Sequence, residues 1–120
     1  MQKRRLGRNG PEVSAIGYGA MGFHLAYGSA DEHDGLKTIR HAHDLGVTLF
    51  DTAEYYGWGA NEKFIGRAVK DFRHDIVIAT KFGLSREMGM DSRPEHIREV
   101  AENSLRNLGV ESYAQKLVTA

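Results

Sequence analysis

Val47 to Asp51, "VTLFD", and Asp75 to Lys81, "DIVIATK", bound the stretch whose reading decides the fold. Each is short and nearly continuous in apolar residues, the pattern of a strand buried on both faces of a parallel sheet. The second is rich in β-branched side chains, which favour strands. Between them the loop "DTAEYYGWGAN" leads into a helical pattern, with Asn61 as its expected cap and Phe64, Ile65, Ala68 and Val69 on its buried face. Strand, loop, helix and strand at this spacing form a βα unit feeding a parallel neighbour. One run ends in Asp51, the next in Lys81, and neither opens a Ser/Thr/Gly phosphate loop. Charge at successive strand ends favours a (β/α)8 barrel, where chemistry collects at the C-terminal face, over a doubly wound open sheet.

Working outward, the same alternation continues on both sides. Upstream, Ser29-Ala30-Asp31-Glu32 has the form of a capping box, followed by Leu36, Ile39, Ala42 and Leu45 at helical spacing and by Gly46 as a stop. Downstream, "FGLSREMGMDSRP" reads as a long loop holding Met88 and Met90. A second capping box, Ser92-Arg93-Pro94-Glu95, then starts a helix through Ile97, Val100, Ala101, Leu105 and Leu108, which Gly109 ends. At the N-terminus, "KRRLGRNGPEVSAIGYG" reads as two extended runs around a turn at Asn9-Gly10-Pro11. The expected organisation is one domain: a hairpin over 1–15, βα units over 16–113, and a tail over 114–120.

Composition narrows the function classes. In 120 residues, 41% are hydrophobic, enough for a core, and sixteen basic residues balance sixteen acidic ones. The basic start "QKRRLGR" is a short cluster without aromatic interleaving, so a nucleic-acid partner is not expected. No apolar run approaches the roughly 20 residues that span a bilayer, and the N-terminus has no signal-type apolar segment. With no cysteine to report on redox compartment, the cytoplasm is the default location. Six histidines invite a metal reading, but His41 and His43 are two apart on a helix and point about 200° from each other. No metal site is expected.

Asp51 and Tyr56 share one strand-end loop, and Lys81 ends the next strand, so all three project onto one face. A phenol is a weak acid, with an ordinary pKa of about 10. A lysine ammonium beside it favours the phenolate, and an aspartate beyond the lysine keeps that ammonium charged and in place. Such a phenol can protonate a carbonyl oxygen while a hydride reaches the carbon. The same residues also admit a bland reading: Asp-Thr as a side-chain turn, Tyr55 and Tyr56 packed on a rim, Lys81 as an exposed strand end. A lysine amine can also attack a carbonyl, so a Schiff-base aldolase using Lys81 is a further alternative. His24 and Trp58, in neighbouring strand-end loops, are candidates to line a substrate site.

"GYGAMG" over Gly17 to Gly22 matches the glycine pattern G-x-G-x-x-G of dinucleotide loops. That mechanism needs a preceding strand, which "VSAIG" supplies, and a helix opening directly on the last glycines. The helix starts instead at the Ser29 box, which excludes a pyrophosphate cradle.

"FDTAEYYGWGANEKFIGRAVK", "IVIATKFG", "DSRPEHIREVAENSLRNLG" and "AIGYGAMGF", in this order and spacing, resemble the N-terminal half of an aldo/keto reductase. The resemblance runs from Lys3 to about Tyr113. It implies the first three to four βα units of a (β/α)8 barrel closed below by a hairpin, with the barrel incomplete. It also implies NADPH-dependent reduction of an aldehyde or ketone, with Tyr56 as proton donor and Lys81 and Asp51 as its partners. Gly19, Met21 and Asp51 would lie near the nicotinamide end of NADPH.

The resemblance stops at Tyr113. The family continues with a strand of the type Tyr-Ile-Asp-Leu-Leu-Tyr-Gln-His, whose histidine is the fourth catalytic residue. Here the chain reads "YAQKLVTA": only Tyr113 and Leu117 fit, and Ala120 falls at the histidine position. An abrupt change of this kind is what a frameshift, a rearranged gene or an altered splice form produces. A barrel needs about 250 residues, and the resemblance assigns most dinucleotide contacts to the missing half. The isolated chain is therefore expected to be inactive and either marginally stable or self-associating through an open edge. The remaining alternative is a non-enzymatic half-barrel.

Overall fold

The computed structural model describes residues 1–24, 31–110 and 117–119. It begins with an antiparallel hairpin, β1 (Lys3–Arg5) and β2 (Glu12–Ser14), in register Arg4 to Val13. The intervening turn includes the predicted Asn9–Pro11 stretch, where a Cβ on Gly10 would stand 1.7 Å from the Leu6 carbonyl oxygen. Only glycine permits that approach. The hairpin is fastened to the main sheet by a reciprocal pair: the Ser14 N–H donates to Thr48 Oγ1, and the Thr48 N–H to Ser14 Oγ, both at 2.8 Å.

The main sheet contains β3 (Tyr18–Gly19), β4 (Leu49–Asp51), β5 (Val77–Thr80) and β8 (Leu117–Thr119), all parallel and adjacent in chain order. The register pairs Tyr18 with Phe50 and Phe50 with Ile78, and it sets Gly19 beside Asp51 and Asp51 beside Ala79. Among the described residues the sheet is open, with β3 and β8 at its edges. These are partial-barrel βα units, as expected. The strands are shorter than their apolar runs. Val47 and Thr48 precede β4, and Lys81 follows β5 rather than ending it. The glycine-rich segment differs more: Tyr18 and Gly19 are themselves the first sheet strand, and only a single 3-10 turn, Met21–Phe23, opens beyond them.

Helices α1 (Glu32–Asp44), α2 (Ala60–Ala68) and α3 (Pro94–Leu108) connect and cover the strands. Their caps correct three sequence expectations. Asp31, not Ser29, caps α1, accepting the Asp34 N–H at 3.1 Å; Ser29 lies outside the described residues. For α3 the cap is Arg93, without a side-chain bond, so Ser92 forms no capping box, although Pro94 does occupy the first turn. The cap of α2 is Gly59, in the left-handed region. Asn61 is therefore inside the helix and its side chain is free for another use. Gly109 ends α3 with φ 68°, as read from the sequence. The long loop after β5 contains a small antiparallel pair that periodicity did not reveal, β6 (Leu84–Ser85) with β7 (Gly89–Met90). Met90, read as loop, belongs to β7, and both Met88 and Met90 are exposed.

The core lies where the three helices meet the sheet: Ile39 from α1, Phe64 and Ile65 from α2, Leu108 from α3, and Phe50 and Ile78 from the strands. Phe72, in a 3-10 segment after α2, stacks against His43 of α1 at 4.0 Å between centroids. Helices α2 and α3 approach so closely at Gly66 that a Cβ there would lie 2.8 Å from the Leu108 carbonyl oxygen. Tyr113, Gln115, Lys116 and Ala120, where the sequence departs from the family pattern, lie outside the described residues.

Candidate active site

The C-terminal ends of β4 and β5 bring Asp51 and Lys81 together. The Lys81 ammonium donates to Asp51 Oδ2 at 2.6 Å and to the Thr52 carbonyl oxygen at 2.8 Å. It also lies 5.2 Å from the centroid of the Tyr56 ring, within cation–π range. The Lys81 and Asp51 side chains are 38% and 41% exposed, so as a surface pair they contribute little to stability. The pair sets the ammonium beside the Tyr56 ring. Ala53, Glu54, Tyr55, Tyr56, Lys81, Phe82 and Leu84 enclose a cleft of about 330 Å³. Tyr56 and Lys81 thus face one cavity, while Asp51 stands behind the lysine.

A second, more polar cleft of about 380 Å³ adjoins the first through Glu54 and Leu84, and Trp58 lines it. The Arg86 guanidinium lies 5.0 Å from the Trp58 ring centroid, and Tyr55 meets Trp58 edge-on at 5.3 Å. Burial, then the neighbouring Glu62 carboxylate, raises the Glu54 carboxyl above its ordinary range. At the far side of this cleft Arg93 bonds Asp91 and holds its carboxyl well below the usual carboxylate range.

The Tyr56 loop is wound left-handed at three consecutive residues, Gly57 (φ 64°), Trp58 (φ 51°) and Gly59 (φ 94°). Trp58 is the one non-glycine at positive φ among the described residues, a conformation that costs on the order of 1–3 kcal/mol. Its carrier loop is braced from within by Gly59 N–H to Glu54 O at 2.8 Å and Asn61 N–H to Tyr56 O at 3.2 Å.

The other candidate residues are distributed as follows. Gly19 pairs with Asp51 at the open end of the sheet, exposed, with nothing within 4 Å of where its Cβ would be. Met21 begins the 3-10 turn just beyond and is half-buried. His24 does not line either cleft. It lies beside the Tyr56 loop and is exposed: a Gly57 Cβ would be 3.1 Å from the His24 Cβ, and its Nδ1 is 3.0 Å from Asn61 Nδ2. Partial burial lowers its imidazole below the usual histidine range. Among the described residues, no group of three His, Cys, Asp or Glu side chains is placed to hold a metal, and no helix is long and apolar enough to cross a membrane.

Sequence reading missed the buried polar residues beneath this surface. Thr52, Asn61, Glu62 and Thr80 are all essentially inaccessible. The available signal was Asn61-Glu62 in the first turn of a helix whose caps lie elsewhere, facing hydroxyl residues that adjoin Asp51 and Lys81.

Parallel strands in chain order, covered by helices, with Lys81, Asp51 and Tyr56 clustered at the strand ends, are the layout of the opening units of a (β/α)8 barrel. The family model described as "Aldo/keto reductase family" matches residues 15–119, and the chain belongs to that family. It is 42% identical over 117 residues to "Probable aldo-keto reductase 1" of Glycine max, covering 92% of this chain and 34% of that protein. Among solved structures, it resembles aldo-keto reductase AKR11C1 from Bacillus halodurans in its holo form, with TM-score 0.81 and 35% identity over 92% of this chain and 37% of that one. An aldo-keto reductase from Klebsiella pneumoniae solved in complex with NADPH matches at TM-score 0.67 and 27% identity, over 92% of this chain and 37% of that one. The chain spans about a third of the length of the curated relatives it matches.

Proposed function

We propose that these residues are the donor half of a carbonyl reductase site that reduces an aldehyde or ketone to an alcohol with NADPH. The observation that carries this reading is the Lys81 ammonium held between Asp51 and Thr52 beside the Tyr56 ring. NADPH, when bound, supplies the hydride. Tyr56 donates the proton to the substrate oxygen, with the Lys81 ammonium 5.2 Å from its ring centroid. Asp51 holds the lysine in position through its 2.6 Å contact. The apolar walls of the Tyr56 cleft exclude water from the carbonyl, and Trp58 borders the substrate's outer end.

The open space over Gly19, beside Asp51, fits the approach of a flat ring to the sheet end, with Met21 at its margin. We place the nicotinamide end of the cofactor there. His24, 3.0 Å from Asn61 Nδ2 and beside Gly57, supports the Tyr56 loop in this reading more directly than it contacts substrate. Lys81 as a Schiff-base nucleophile is disfavoured, because an ammonium paired with a carboxylate at 2.6 Å lacks the free electron pair that attack on a carbonyl requires.

Residues 1–120 are read as one partial barrel domain, located in the cytoplasm. Alone, they are expected to give no NADPH-dependent turnover of simple aldehydes, because a closed barrel needs about 250 residues. Association through the open sheet edges is expected to accompany this. Spectrophotometric assay and size-exclusion chromatography of the purified chain check both, and steady NADPH oxidation by a monomer would refute them. The function itself is tested by fusing residues 1–110 to the remainder of the Bacillus halodurans barrel. The chimera should reduce carbonyls with NADPH, and a folded but inactive chimera would count against the reading.

A further inference from the structure

We infer that Asn61 and Glu62 are positioning residues for the Lys81–Asp51 pair, acting through the two threonines that adjoin it. This rests on the reductase reading for its catalytic meaning, but the contacts stand by themselves. Thr52 follows Asp51, and its hydroxyl donates to Asn61 Oδ1 at 2.6 Å. Thr80 precedes Lys81, and its hydroxyl donates to Glu62 Oε1 at 2.6 Å. One dipeptide in the first turn of α2 therefore grips the ends of two neighbouring strands, at the residue next to each member of the ion pair.

The remaining valences of the dipeptide complete the frame. Asn61 Nδ2 donates to the Ala20 carbonyl oxygen at 2.8 Å, just past β3, and faces His24 Nδ1 at 3.0 Å. A carbonyl oxygen only accepts, so the amide cannot be flipped without opposing Asn61 Oδ1 to Ala20 O. Glu62 Oε2 accepts from Asn107 Nδ2 of α3 at 2.9 Å. The ends of three strands, the start of α2 and the end of α3 are thus joined through two side chains, both 0% exposed. Buried polar groups lose heavily if left unpaired, which makes the geometry nearly all-or-none.

The consequence for Lys81 follows through the backbone. Its ammonium takes the Thr52 carbonyl as its second acceptor, and that carbonyl stays aimed only while the Thr52 side chain is held by Asn61. Thr80 in turn fixes where the chain leaves β5 and so where the lysine starts. The half-exposed ion pair cannot enforce this placement by its own attraction.

The test uses the 120-residue chain and needs no turnover, so it can fail while the reductase reading stands, and the reverse. Lysine acylation by trace acetic anhydride is followed residue by residue with mass spectrometry. Thr52→Val and Thr80→Val should each raise acylation of Lys81 by about five- to tenfold, the scale of one hydrogen bond's net contribution. Lys63 and Lys70 should react at their wild-type rates, and Thr52→Ser and Thr80→Ser should restore protection of Lys81. Unchanged Lys81 acylation in a folded valine variant would overturn the proposal. If both valine variants unfold, the wild-type chain decides by nuclear magnetic resonance. The Thr52 and Thr80 hydroxyl protons should exchange slowly and show contacts to Asn61 and Glu62, and rapid exchange with water would overturn it.

Discussion

Tyr56→Phe in the completed chimera is expected to lower kcat by about 10³-fold, within the range that a positioned general acid contributes. The change removes one oxygen and leaves the ring. The ring packs under the Lys81 ammonium at 5.2 Å and lines the cleft with Phe82 and Leu84, so KM should move little. That split separates a proton donor from a residue that merely shapes the pocket. Lys81→Met should produce a loss of similar size, and the double variant should be scarcely worse than either single one, because both act on the same proton. Steady-state kinetics with one aldehyde and NADPH gives all the numbers required. A loss smaller than tenfold for Tyr56→Phe would remove the phenol from the chemical step.

Phe50→Ala is the second change expected to be severe, this time for stability. Phe50 is fully buried at the centre of the sheet, with ring centroids 5.7 Å from Tyr18 and 6.3 Å from Phe72. It pairs in register with Tyr18 on one side and Ile78 on the other. Truncating such a ring costs about 3–5 kcal/mol, the lost transfer energy plus the cavity left behind. Whole domains are stable by only about 5–15 kcal/mol, so the loss is a large share of any such total. Urea titration followed by far-ultraviolet circular dichroism should show no folded baseline for Phe50→Ala. Leu45→Ala, at a position 61% exposed, is the matched control and should stay within about 0.5 kcal/mol of the parent. A native-like transition for Phe50→Ala would show that the sheet centre does not hold this chain together.

The residues differ in how plainly they announced these roles. Phe50 and Ile78 were legible because each sits in a run too short for a helix, the second rich in β-branched residues, which together read as buried strands. Asp51 and Lys81 were legible because a charge directly after such a run has nowhere to go but the rim. Tyr56 followed from its place five residues beyond Asp51, although its contact with the lysine is through the ring face. The caps were less legible. Asp31 and Ser29 both suit an N-cap, and local pattern cannot choose between them. Asn61 looked like a cap because asparagine usually is one at a helix start, whereas tertiary partners at Thr52, Ala20 and His24 claim its amide. Glu62 was invisible for the same reason: a carboxylate in the first turn reads as solvent-facing until Thr80 and Asn107 are seen around it. The β6–β7 pair escaped because two-residue strands carry no period.

The order of the sheet, β3-β4-β5-β8, is also the order of the chain. During synthesis from the N-terminus, each strand therefore emerges to find its neighbour already made, and none must wait for a later segment to be inserted beside it. Even the hairpin's fastening to Thr48 is complete once the first helix and the start of β4 have left the ribosome. A fold that grows by addition at one edge can keep its earlier units in place while later ones are still being translated.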